Sequence, residues 1–151
     1  MPSNKKGNRS ERKVANKLDS EGWAVLRAPA SGGGTDRESP DVFAGLGEVQ
    51  IAGELKCPGE RRVYFTKEEV EHLRYWASKF GATALLGVDF DTQNGDPCYG
   101  EDCEGVYFGS PELAHETEKS LRVDKGEVLD DPSWVELSRL GPTTVPVAQE
   151  G

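Results

Sequence analysis

A chain of 151 residues has room for one domain with a modest core and not for two ordinary ones, so a single active site is sought. Its 27 acidic against 18 basic side chains give a net charge of −9, no apolar run approaches the roughly 18 to 20 residues that cross a bilayer, and the polar, basic N-terminus lacks the apolar stretch of a secretory signal. A cytoplasmic protein with no membrane partner and reduced thiols is expected; Cys98 and Cys103 have the spacing of a zinc ligand pair, but Cys57, His72 and His115 form no second tight pair to complete a site.

Residues 1–7 (MPSNKKG) lack apolar content and read as a mobile basic arm. From Asn8 to Glu21, Glu11, Val14, Ala15 and Leu18 follow helical spacing, with Gly22 as the stop. Glu11 is anomalous: a carboxylate on an apolar stripe costs free energy unless paired or metal-linked, so it is expected to face a metal pocket rather than a solvated rim. Trp23 to Ala28 reads as a strand and residues 30–35 (ASGGGT) as a loop.

Asp41 to Ala44 and Val49 to Lys56 read as strands joined through Gly45-Leu46-Gly47-Glu48, a hairpin by composition. Arg62 to Phe65 gives a short strand, followed by a helix from Lys67 to Phe80. Thr66 and Glu69 suggest a capping box there, Val70, Leu73, Ala77 and Phe80 a buried stripe, and Gly81 the end. Thr83 to Phe90 reads as a central strand, Val106 to Phe108 and Ser120 to Val123 as edge strands. The acidic stretch 89–104 has Asp89, Asp91 and Gly95 but neither the glycine position nor the preceding helix of a calcium loop. A domain over 8–126 is therefore expected, with a C-terminal extension over 127–151 that holds a short helix from Pro132 to Leu140 and a mobile tail.

Chemistry concentrates in the hairpin. Side chains alternate along a strand, so Gln50, Ala52, Glu54 and Lys56 share a face. A turn centred on Leu46-Gly47 pairs Ala44 with Val49 and sets Asp41 opposite Ala52, with Glu54 as its diagonal neighbour at roughly 7 to 8 Å. Hard divalent cations such as magnesium bind one or two carboxylates plus water and phosphate oxygens. Asp41 and Glu54 form such a pair, and Lys56 lies where it can stabilise charge developing on a phosphoryl group. Glu-x-Lys alone is common on solvated strands; the order Pro40-Asp41, glycine hairpin, Glu54-Leu55-Lys56 resembles that of a PD-(D/E)xK nuclease site.

Further residues carry a more specific likeness. Lys6-Gly7 with Glu11-Arg12, Gly22-Trp23-Ala24-Val25 with Arg27-Ala28-Pro29, Ser31-Gly32, Pro40-Asp41-Val42, Ala44-Gly45, Glu54-Leu55-Lys56 and Lys79-Phe80-Gly81-Ala82 together resemble the archaeal Holliday junction resolvases over residues 5 to 125. The resemblance implies an α/β fold, a single domain with a restriction-endonuclease-like mixed β-sheet flanked by helices. It implies that Glu11, Asp41, Glu54 and Lys56 are catalytic, with magnesium (or manganese) on Asp41 and Glu54. Glu11 joins them as a candidate ligand because it is expected to face the same pocket. The resemblance further implies that Arg12, Arg27 and Ser31 contact junction backbone, and that a homodimer nicks opposing strands of four-way junction DNA.

Lys5, Lys6, Arg9, Arg12, Arg27, Arg61 and Arg62 are then the expected phosphate-tracking surface. The charge distribution agrees in part: residues 1–30 carry +4, residues 31–80 carry −2 and residues 81–151 carry −11. That acid excess departs from the basic family pattern and resembles proteins adapted to molar salt, where a Debye length of about 3 Å would keep an acidic flank from repelling DNA. The alternatives are another PD-(D/E)xK endonuclease, of restriction or repair type, and a non-catalytic DNA-structure-binding protein. The exposed part of the 67–80 helix, Trp76 included, is the expected dimer surface.

Overall fold

Val14 and Leu18 set the first helix: both side chains are fully buried, and burial of each contributes roughly 1.5–3 kcal/mol. The computed structural model describes residues 2–28, 38–57, 60–90 and 105–146, with side chains of the first helix from Ser10 onward. Helix α1 runs Pro2–Ser20, so the segment expected to be a mobile arm is helical. Once Val14 and Leu18 anchor a nucleus, extending through lysine and arginine is cheap, and proline is tolerated in a first turn. Ser10 pins the helix to the sheet, donating to Asp89 Oδ2 at 2.6 Å, with Lys13 Nζ 3.2 Å from the same oxygen.

Strands β1 (Ala24–Arg27), β2 (Val42–Leu46), β3 (Val49–Lys56), β5 (Thr83–Asp89), β6 (Val106–Gly109) and β9 (Val135–Glu136) form a six-stranded sheet in the order β1-β2-β3-β5-β6-β9. Among the described residues of this sheet only β3 and β5 pair parallel. That pair needs a crossover, which β4 (Arg62–Thr66) and helix α2 (Lys67–Phe80) supply. Alternation along β3 sends Ile51 into a cluster with Val14, Leu18 and Phe108, and Ala52 into one with Val70, Leu73 and Ala77. The mixed sheet therefore lies between α1 and α2. A smaller sheet, β4-β8-β7, with β7 His115–Glu116 and β8 Ser120–Asp124, covers the α2 side through Val63, Phe65 and Val123.

Several expectations need correction. β8 lies between β4 and β7, and β6 between β5 and β9, so neither is an edge. Phe80 is 58% exposed, because it stands at the helix end with its ring 4.9 Å from that of Phe43. A boundary at 126 would cut α3 (Lys125–Asp130), and residues 132–140 form β9 and a 3-10 turn over Leu137–Arg139 rather than a helix. Trp134, Leu137 and Leu140 are buried, and Trp134 lies so close to Gly109 that a Cβ there would come within 2.5 Å of the indole. The segment is thus part of the domain's core. The glycine loop after Ser31, the acidic loop beyond Phe90 with Cys98 and Cys103, and the tail beyond Pro146 lie outside the described residues.

Candidate active site

The hairpin closes more tightly than expected. Leu46 pairs with Val49 and Ala44 with Ile51, so Phe43, not Asp41, stands opposite Ala52. The turn needs only Gly47 and Glu48, with Gly47 at φ 63°, a left-handed conformation glycine adopts without strain. The register differs from expectation by two residues. Because the pleat repeats every two, the facing of the side chains survives.

Asp41 sits just before β2 and brackets Glu54: its N–H donates to the Gly53 carbonyl at 2.9 Å, and its Oδ2 accepts from the Leu55 N–H at 2.7 Å. Burial pushes the Glu54 carboxyl up to about 9, reinforced by the charges of Asp41 and Glu69 and opposed by Lys56. Burial also pushes Asp41 up to about 6, against the Leu55 hydrogen bond and with Glu11 adding repulsion. Two half-buried carboxyls beside one ammonium resist ionising together, so they hold a proton that ordinary carboxylates would have lost.

Glu11 comes to the same pocket from α1. Its Oε1 lies 3.5 Å from Arg27 on β1, and its carboxyl is raised by burial against the pull of that arginine. Four expected residues, Glu11, Asp41, Glu54 and Lys56, are thereby brought to one end of the hairpin. A fifth was not expected there. Glu69, read as a helix cap, does form the reciprocal box with Thr66, but its Oε2 also accepts from Lys56 Nζ at 2.8 Å. Burial raises its carboxyl, yet hydrogen bonds from Lys56 and Thr66 outweigh that and hold it below the ordinary value. The Thr66-x-x-Glu69 pattern was legible; the contact with Lys56 depends on where the crossover returns α2.

The basic residues are placed less uniformly. Arg12, Arg61 and Arg62 are exposed, and Arg62 is paired with Asp124 at 3.3 Å. Lys5, Lys6 and Arg9 lie on α1 but their side chains are outside the described residues, as is Ser31. Elsewhere Leu26 is 71% exposed and pairs with Phe43 across β1 and β2, and the rings of Phe43, Trp76 and Phe80 lie 4.9 to 6.3 Å apart. Among the described residues, one group brings three possible ligand atoms within 4.8 Å of one another: His115, Asp124 and Glu127, on β7, β8 and α3.

The chain is 38% identical over 90 residues to the crossover junction endodeoxyribonuclease Hjc of Sulfurisphaera tokodaii, covering 58% of this chain and 62% of that protein. It is 29% identical over 120 residues to the protein so named from Archaeoglobus fulgidus, covering 80% and 79%. The match thus spans about 62% of the length of the Sulfurisphaera relative. The solved structure of Archaeoglobus fulgidus Hjc, a Holliday junction resolvase, superposes with a TM-score of 0.68 at 26% identity, covering 87% of this chain and 96% of that one. The family model described as archaeal Holliday junction resolvase (hjc) matches residues 2–135, and the chain belongs to that family.

Proposed function

We propose that this chain is a structure-selective DNA endonuclease that resolves four-way junctions by paired, metal-dependent phosphodiester hydrolysis in opposing strands. The observation that carries the reading is the half-buried Asp41–Glu54 pair, bracketed by the β3 backbone, with Lys56 on the same strand. The relatives' names support the substrate class.

The donor set fits a hard divalent cation: oxygen ligands only, their negative charge insufficiently balanced by the protein, at a half-buried position. Magnesium, or manganese in its place, bound by Asp41 and Glu54 with Glu11 nearby would supply Lewis acidity toward the phosphoryl oxygen and acidify water. The chain's own residues do the rest. The Leu55 N–H fixes Asp41 through Oδ2 and so orients its other oxygen. Lys56 presents an ammonium where negative charge develops on the phosphate, an effect strengthened by partial exclusion of water. Arg27, beside Glu11, places a guanidinium next to the same pocket; Arg12, Arg61 and Arg62, all exposed, are proposed together with Lys5, Lys6 and Arg9 for phosphate contacts that carry no base code.

A twofold substrate calls for two sites, and a C2 homodimer provides them. Exposed Leu26 and Phe80, with the half-buried rings of Phe43 and Trp76, offer apolar surface suited to that interface. Acting on DNA, the enzyme works in the cytoplasm, and its acidic surface suits molar salt: cleavage is expected to be weak in dilute buffer and to rise toward about 1 M. The deciding experiment offers a synthetic four-way junction beside matched linear duplex, with and without magnesium. Symmetric nicks in the junction support the reading; equal cutting of duplex favours a different endonuclease of the same fold, and no metal-dependent cutting of either overturns it.

A further inference from the structure

Glu69 is a conspicuous residue at the site whose role the nuclease reading leaves open. It stands in the first turn of α2, and both of its oxygens are committed. Oε1 accepts from the Thr66 backbone N–H at 2.8 Å, while the Glu69 N–H donates to Thr66 Oγ1 at 3.0 Å. Oε2 accepts from Lys56 Nζ at 2.8 Å. The pair is sheltered, with side-chain exposures of 32% for Lys56 and 21% for Glu69, and the Phe65 ring covers another side of the ammonium at 5.9 Å.

A lysine on a flexible four-carbon stem has no preferred aim. Two carboxylates, Asp41 and Glu54, compete for it, and an ion pair with either would occupy an oxygen needed for a cation. We propose that Glu69 is a positioning residue for Lys56, tying its ammonium to the capped end of α2 so that it serves the scissile phosphate rather than neutralising Asp41 or Glu54. The inference rests on the nuclease reading of Asp41, Glu54 and Lys56. The cap is what makes the anchor rigid: a carboxylate held by Thr66 cannot follow the lysine, so the lysine must come to it.

The capping box itself supplies the test, because glutamine caps as well as glutamate does. Glu69→Gln keeps an oxygen for the Thr66 N–H and the N–H bond to Thr66 Oγ1, but removes the charge that holds Lys56. Two readouts are taken on the full chain. Proton–nitrogen correlation spectra, with the Lys56 ammonium assigned by its loss in Lys56→Met, are expected to show a protected signal in the wild type that vanishes in Glu69→Gln. Single-turnover cleavage of a four-way junction with magnesium is expected to fall about tenfold or more, with junction affinity and thermal midpoint unchanged; Glu69→Ala is expected to lose thermal stability as well.

A Glu69→Gln protein that keeps both the protected signal and the wild-type cleavage rate overturns the inference. A loss of rate accompanied by an equal fall in thermal midpoint, with the lysine signal retained, also overturns it, since the residue would then act only through the helix. A wild type that cuts no DNA while the spectral difference persists removes the nuclease reading and leaves the anchoring of Lys56 standing.

Discussion

Two groups of acidic side chains on this molecule invite the same description and behave differently. His115, Asp124 and Glu127 meet the geometric requirement for a shared ion, with ligand atoms within 4.8 Å. Yet their charges are already answered. Asp124 takes Arg62 at 3.3 Å and Arg122 at 3.2 Å, and His115 Nε2 lies 2.6 Å from Glu127 Oε2. His115 and Glu127 are about half exposed, at 47% and 53%, so water and salt screen what remains. Asp41 and Glu54 are more enclosed, and no salt bridge reaches either among the described residues. Their nearest ammonium, that of Lys56, is bonded to Glu69. The contrast teaches that the demand for a cation is set by uncompensated, desolvated charge rather than by how closely ligand atoms crowd.

The sharpest way to break the comparison is substitution at both places. Asp41→Asn or Glu54→Gln is expected to reduce cleavage by at least about 10³-fold, the loss of several kcal/mol of charge stabilisation, while junction binding in gel shifts stays near wild type. His115→Ala and Glu127→Gln should leave the rate within about twofold, as surface changes away from the reacting groups do. A comparable loss from the second set would reverse the assignment of the two groups.

Acidity sharpens the contrast next. A carboxyl whose folded pKa is raised binds its proton more tightly in the folded chain than in the unfolded one. Its contribution to stability is therefore complete below the unfolded value, near 4.5 for glutamate, and for Glu54 is lost as pH rises through about 9. The metal-free protein is expected to lose thermal midpoint across that window, by at least about 1 kcal/mol or roughly 2–4 °C, and Glu54→Gln should flatten the fall. Magnesium, which requires the ionised carboxylates, should raise the midpoint more at pH 9 than at pH 5. A magnesium response with no pH dependence would place the ion elsewhere. The smallest effect belongs to Asp124→Asn, expected to shift stability by about 0.5 kcal/mol or less in denaturant titrations, because it weakens exposed or half-exposed pairs.

Legibility in the sequence followed the range of the physics involved. The Asp41, Glu54 and Lys56 grouping could be read because strand alternation is local and has period two. An error of two residues in pairing Ala44 left the facing intact, where an error of one would have destroyed it. Helix α2 was readable from Thr66 to Gly81 because its caps are written in adjacent residues. Glu69's contact with Lys56 was not, since it joins a strand end to a helix start through the crossover. Phe80 followed the helical stripe but ended outside the core, as periodicity says which face a residue occupies and not whether a neighbour covers it. The segment over 132–140 failed for a related reason: it reads as a short helix in a C-terminal extension, and it is long-range packing, with Trp134 against Gly109 and Leu137 and Leu140 buried, that makes it core.

That indole against a bare backbone has a practical meaning for anyone shortening the chain. A stop placed at Gly126 would strip the β6 edge of its neighbour and uncover the ring-shaped hollow beside Gly109, leaving Phe108 and Val106 with fewer apolar contacts and an open strand to recruit another molecule. The least fragment that can fold as this domain does must therefore reach past Leu140.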